Sequence, residues 1–163
     1  MSDINDMHHK AYTGEAKAAI RLKLYADKAE EEGLEQITKL FRVISYSEEI
    51  HAGRSLKKLK EIKNTEENLA ASFESETRVA DLAYSEFIKA AIDAGDKVSE
   101  TIFTQNRDVE KQHAILYQKA MNHMLDDNNT IYHVCRVCGY VSDFHELDVC
   151  PVCNAPKEKF VTF

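Results

Sequence analysis

No proline occurs before Pro151. A proline inside a helix removes a backbone hydrogen bond and clashes with the preceding turn, so its absence favours long uninterrupted helices. Apolar residues recur at helical spacing from about Ala11 to Glu32, through Ala18, Ala19, Leu22, Tyr25, Ala26 and Ala29, and stop at Gly33. A second helix is expected from about Leu34 to Ile62, with Ile37, Leu40, Phe41, Ile44, Ile50, Leu56 and Leu59 as its apolar stripe. Lys57, Lys58 and Lys60 suit the negative end of its dipole. After a stop and restart at 63–68, where Asn64 or Thr65 can cap a new helix, a third helix reaches Ala94 and ends at Gly95. A fourth runs from about Asp96 to Leu125. Helices of roughly 22 to 30 residues make rods of about 33 to 45 Å, and their amphipathic stripes call for a shared core, most economically a four-helix bundle.

The character of the chain changes after the polar run Asp126–Asn129, a turn or linker. From Ile131 onward, β-branched and aromatic residues, turn residues and all four cysteines take over. Two domains are therefore expected, 1–130 and 131–163. The net charge of -7 is carried mostly by the first and argues against a nucleic-acid or anionic-membrane partner. No apolar run approaches the ~18 residues of a membrane span, and the start MSDINDMHHK lacks the apolar core of a signal peptide. A cytoplasmic protein is expected.

Within the helical region the chemistry is concentrated in a repeated Glu-x-x-His, at Glu48/His51 and Glu110/His113. Residues three apart share a helix face, so each copy can hold one metal ion. Glu15 precedes Glu48 by 33 residues and Glu76 precedes Glu110 by 34. Counted from the glycine turns, Glu15 lies 18 residues before Gly33, with Glu48 and His51 15 and 18 after it. Glu76 lies 19 residues before Gly95, with Glu110 and His113 again 15 and 18 after it. In antiparallel hairpins these separations bring each set of three to one height. Four carboxylates gathered in a bundle would each cost several kcal/mol in desolvation and repel one another. Two divalent metals would neutralise them. Mixed carboxylate and imidazole donors suit iron or manganese, and the arrangement is the dinuclear pattern of ferritin-like bundles.

Cys135-Arg-Val-Cys138-Gly139 and Cys150-Pro-Val-Cys153-Asn154 form two knuckles of tetrahedral Fe or Zn spacing. Gly139 and Asn154 tolerate the positive φ that wraps backbone around a metal. A module of ~33 residues needs such a staple to fold, and a purely structural zinc ribbon stays open at this point.

These landmarks resemble the rubrerythrin family over nearly the whole chain. They are Gly14-Glu15, Ser47-Glu-Glu-Ile-His51-Ala52, Asn68-Leu69 before Glu76, Tyr84, and Val109-Glu-Lys-Gln-His113. The tail resembles a rubredoxin, with Cys-Gly-Tyr at 138–140 and Cys-Pro-Val-Cys-Asn-Ala-Pro-Lys at 150–157. The resemblance implies a mainly α fold: a ferritin-like four-helix bundle with a small C-terminal rubredoxin-like Fe(Cys)4 β/loop domain. It also implies a non-haem diiron peroxidase that reduces hydrogen peroxide to water in defence against oxidative stress. Electrons would come from NAD(P)H through a reductase and enter at Cys135, Cys138, Cys150 and Cys153. By carry-over, Glu48 and Glu110 bridge the metals, Glu15, Glu76, His51 and His113 are terminal ligands, and Tyr84 hydrogen-bonds a ligand carboxylate. A ferroxidase or iron-handling protein is the alternative, and a structural or sensory metal protein with zinc at the cysteines is a third.

One position departs from the family. The third-helix ligand is usually followed three residues later by another Glu, which takes over from the second-helix histidine on oxidation; here Val79 stands there. His51 is then expected to stay bound in both redox states, with an altered preference between peroxide and dioxygen. The connector between the second and third helices is also short, three to six residues spanning at most ~20 Å. A ferritin-like site needs those helices parallel, a crossover of ~30 Å or more. The expectation is a homodimer whose site combines one hairpin from each of two chains, an arrangement that could also bring the Fe(Cys)4 centre of one subunit near the diiron site of its partner.

Overall fold

The computed structural model describes residues 3–122, 130–143 and 147–163. Contacts divide the chain into two units, Met1–Lys63 and Asn64–Phe163.

The first unit is a helical hairpin of α1 (Ile4–Glu31) and α2 (Glu35–Leu59). Asp3 caps α1 by accepting from the Asn5 amide, so the helix begins seven residues before the expected Ala11. Its end is as expected. Gly33 takes φ 72°, and the Leu34 amide reaches back to the Ala29 carbonyl at 2.9 Å, closing a Schellman turn. Side-chain pairs Glu30–Arg42 and Lys23–Glu49, and the Ser45 hydroxyl donating to the Ala19 carbonyl at 2.8 Å, run antiparallel along the hairpin.

The packing differs from the expected stripe. The buried residues are small ones: Ala19, Ala26 and Ala29 on α1, against Thr38, Ser45, Ala52 and Ser55 on α2. Thr38, Ser45 and Ala52 recur every seven residues, which lets two backbones approach closely along one seam. Ile37, Leu40, Ile44 and Ile50, expected in the core, are exposed, as are Ile20 and Leu24 on α1. α2 ends three residues before the expected Ile62, because Lys60 adopts the left-handed conformation at φ 58° and the Glu61 amide bonds the Leu56 carbonyl.

The second unit begins with Asn64, whose side chain accepts from the Glu67 amide at 2.9 Å and caps α3 (Thr65–Arg78). The expected third helix is interrupted by a π turn at Val79–Ala83 and resumes as α4 (Tyr84–Asp93). Gly95 (φ 69°) ends it with the same Schellman bond, Asp96 amide to Ala91 carbonyl. Asp96 then accepts from the Val98 and Ser99 amides and starts α5 (Lys97–Asn122). The expected end at Leu125 and the run Asp126–Asn129 lie outside the described residues. Tyr84, Phe87 and Phe103 stack across α4 and α5 with ring centroids 5.6 to 6.3 Å apart.

The same unit contains a small antiparallel sheet of β1 (His133–Cys135), β2 (Val141–Ser142) and β3 (Phe160–Thr162) in the order β2-β1-β3. Its core is Cys135, Cys150 and Ala155, with Tyr140, Val152 and Phe160 packed around them. No helix among the described residues is long and apolar enough to cross a membrane.

Candidate metal centres

The hairpin registers bring the carboxylate and histidine residues together as two triads, one within each unit. Donor atoms of Glu15, Glu48 and His51 lie within 4.8 Å of one another, and so do those of Glu76, Glu110 and His113. In each, the i, i+3 spacing turns the histidine Nδ1 toward the glutamate: His51 to Glu48 at 3.2 Å, His113 to Glu110 at 2.9 Å. Neither Glu-x-x-His helix could do this alone, because the third donor comes from the other arm of its hairpin.

The carboxylates behave as crowded pairs. A hydrogen bond shared with Glu48 raises the Glu15 carboxyl above its usual range, and that same bond, aided by His51, lowers Glu48. Glu76 is raised first by burial and then by its hydrogen bond to Glu110. Two carboxylates at such separations hold a proton between them unless another positive charge is supplied. A divalent ion is the natural replacement, with two oxygens and one nitrogen per triad as hard and borderline donors. The triads fit the metal.

The cysteines form a third cluster. Cys135 and Cys153 Sγ are 3.7 Å apart, Cys138 and Cys150 Sγ 3.6 Å. A tetrahedron with metal–sulfur bonds near 2.3 Å has an edge of roughly 3.8 Å, so the four sulfurs are placed for one ion. Each knuckle repeats one pattern: the Gly139 amide to the Cys135 carbonyl and the Asn154 amide to the Cys150 carbonyl, both 2.9 Å. Gly139 has φ 83° and Asn154 φ 59°, as their residue types suggested. Burial works against the Cys135 thiolate, but amides of Cys138 and Val137 aimed at its sulfur outweigh it and lower the thiol. Burial pushes Cys138 and Cys153 upward, again a cluster that needs a cation to hold its charge.

Three features near the second triad had no counterpart in the sequence reading. The knuckle residue Gly139 sets its carbonyl 3.4 Å from His113 Nε2. Lys119 on α5 pairs with Asp143, just past β2, at 2.8 Å. The π turn starts three residues after Glu76. Eight residues of regular helix would put Tyr84 about 80° around the axis from Glu76. A π turn absorbs about one residue and reduces that offset to roughly 20°. Tyr84 thus shares the face of Glu76, with its ring against Phe87 and Phe103. A bond from its hydroxyl to a ligand carboxylate is not among the contacts of the described residues. Val79, the residue at the family's extra carboxylate position, opens the π turn.

Paired carboxylate–histidine triads on helical hairpins, together with a four-thiolate knuckle pair, define a non-haem metalloprotein of ferritin-like helices with a rubredoxin-like module. The rubrerythrin family model matches residues 7–121, and the model of the rubrerythrin rubredoxin-like domain matches residues 133–161; the chain belongs to the rubrerythrin family. It is 29% identical to Rubrerythrin-2 of Clostridium acetobutylicum, covering 97% of this chain and 95% of that protein. It is 28% identical to nigerythrin of Nitratidesulfovibrio vulgaris (94% and 83% covered) and 30% to rubrerythrin of Porphyromonas gingivalis (92% and 84%). Among solved structures it is similar to nigerythrin in its mixed-valence state, with TM-score 0.60 and 26% identity over 100% of this chain and 88% of that one. For the fully reduced, all-ferrous state the TM-score is 0.61 at 25% identity. The family binds a diiron centre and an Fe(Cys)4 centre, and this chain has a donor cluster for each. It is a mainly α, iron-binding oxidoreductase of that family.

Proposed function

We propose that the chain reduces hydrogen peroxide to water, taking two electrons and two protons per peroxide, with the electrons relayed from NAD(P)H through a rubredoxin or reductase to the cysteine centre. The observation that carries this reading is the pairing, in one chain, of two carboxylate–histidine triads with a four-thiolate cluster. A store or ferroxidase has no need of the thiolates. Iron in the triads would supply reversible one-electron change next to open coordination positions.

The residues divide the work. Glu15, Glu48, His51, Glu76, Glu110 and His113 would hold the iron ions. Tyr84 orients a ligand carboxylate from the shared face, and Cys135, Cys138, Cys150 and Cys153 hold iron as the electron entry, where zinc would leave the route closed. The domains divide at about residue 130, and the protein works in the cytoplasm as a homodimer in which the first hairpin of one chain completes the second triad of its partner. Support for the exchange is the connector of five residues between Leu59 and Thr65, too short for a crossover of helix length. The exposed apolar faces of α1 and α2 add to it.

Anaerobic peroxide turnover by iron-reconstituted protein with a rubredoxin reductase tests the reading. Catalytic NAD(P)H oxidation dependent on peroxide is expected. Turnover with dioxygen and none with peroxide would instead favour the ferroxidase reading, which Val79 supports by withholding a carboxylate. Val79→Glu should shift the ratio of peroxide to dioxygen reoxidation rates toward peroxide; an unchanged ratio would remove Val79 from the argument.

A further inference from the structure

The second triad is in contact with the cysteine module of its own chain, through His113. Its Nδ1 faces Glu110 at 2.9 Å, and Nε2 faces the Gly139 carbonyl at 3.4 Å, at the long end of the hydrogen-bond range. An ideal Cβ on Gly139 would lie 3.9 Å from Val109 Cγ1, one turn before His113, so the knuckle sits directly on this face of α5. Lys119 and Asp143 pin the approach 2.8 Å apart. Beside His113 is an open, mostly apolar cleft of about 530 Å³ that it lines together with Leu116, Tyr132, Val141 and Phe163.

From this contact we propose that metal in the four-cysteine site raises the metal affinity of the Glu76/Glu110/His113 triad in the same chain, so that the two centres load cooperatively. The module has a core of Cys135, Cys150 and Ala155 and three strands of two or three residues. Such a module folds with its metal. Folding places the Gly139 carbonyl where it accepts from Nε2–H, which leaves the Nδ1 lone pair for the ion. A fixed outer partner of this kind typically changes metal affinity 10- to 100-fold when removed. Linkage is reciprocal, so metal at the triad tightens the cysteine site by the same factor. The inference rests on the reading of both clusters as metal centres, and not on peroxide chemistry. Gly139 and the Lys119–Asp143 pair act here by positioning.

Mn(II) binding to the full chain, read by loss of the free-ion EPR signal, tests the coupling. Mn(II) prefers the oxygen-rich triads and does not displace zinc from thiolates. In a His51→Ala background, which weakens the first triad, zinc at the cysteines should tighten Mn(II) binding about tenfold or more relative to the Cys135→Ser/Cys138→Ser/Cys150→Ser/Cys153→Ser chain. With zinc retained, Lys119→Glu should weaken it, and Lys119→Glu/Asp143→Lys should restore it. In the zinc-saturated wild-type protein, NMR should find a slowly exchanging ring N–H on His113 that Lys119→Glu abolishes and His51 does not share. Equal Mn(II) affinity with and without zinc at the cysteines, with no protected His113 proton, would overturn the coupling. No Mn(II) binding in either form would overturn the metal reading of the triad, and the coupling with it.

Discussion

The two triads have the same donors in registers that differ by one residue, and they differ in what surrounds them. Glu15, Glu48 and His51 stand on a hairpin sealed by alanine, serine and threonine, and the His51 side chain is 48% exposed. Glu76, Glu110 and His113 stand between an aromatic cluster, a π turn and the cysteine module, and the His113 side chain is 27% exposed. A donor set comes from local spacing. Its surroundings come from contacts far apart in sequence, and these set how firmly each donor is held.

The comparison can be broken most severely at the module. Cys150→Ser removes a sulfur whose residue is fully buried. The module should then lose its metal and its fold, abolishing the ferric-thiolate absorption and reductase-driven turnover while far-UV circular dichroism keeps its helical signal. The second triad should lose its neighbour, so His113 resonances should move. Unmoved His113 resonances would mean that the two triads are alike after all.

A smaller effect separates the two kinds of hairpin. Ala26 is buried in the α1–α2 seam, where a leucine would force the helices apart at a cost of about 1–3 kcal/mol. Denaturant unfolding of Ala26→Leu should show that loss together with weaker metal binding at the first triad. A neutral result would contradict the close-packed seam.

The smallest expected effect is electrostatic. Burial raises Glu76 in the folded chain, so its protonated form is favoured by folding, and that contribution is lost as pH rises through the folded pKa. The contribution of Glu76 to the stability of the metal-free protein should therefore fall from the acidic carboxylate range toward neutral pH. Glu76→Gln should flatten this dependence. Persistence of the full slope in that variant would assign it to other groups.

Much of the site was legible in the sequence because it depends on counting. Gly33 and Gly95 mark the turns, and similar distances on either side of them align each triad. The knuckles were legible because Gly139 and Asn154 stand where left-handed backbone is required. Three things were hidden. Ile37, Leu40, Ile44 and Ile50 repeat at helical spacing like any core stripe, and periodicity does not say which partner covers a face; the smaller Thr38, Ser45 and Ala52 form the intrachain seam instead. The π turn has no residue signature, since Val79–Ala83 would serve equally in regular helix. The contact of Gly139 with His113 joins residues 26 apart through a backbone atom, which side-chain identity cannot reveal.

If, as proposed, two triads from different chains form one working site, mixing two inactive variants tests it most directly. Glu48→Ala and Glu110→Ala each spoil every site in their own homodimers. In a hairpin-exchanged heterodimer both lesions fall in one site and the other site is intact. Unfolding and refolding an equimolar mixture should therefore recover about a quarter of wild-type peroxide turnover and diiron content, the share expected from random pairing of chains. Recovery of nothing above the separate variants would contradict the exchange and require each chain to build its site alone.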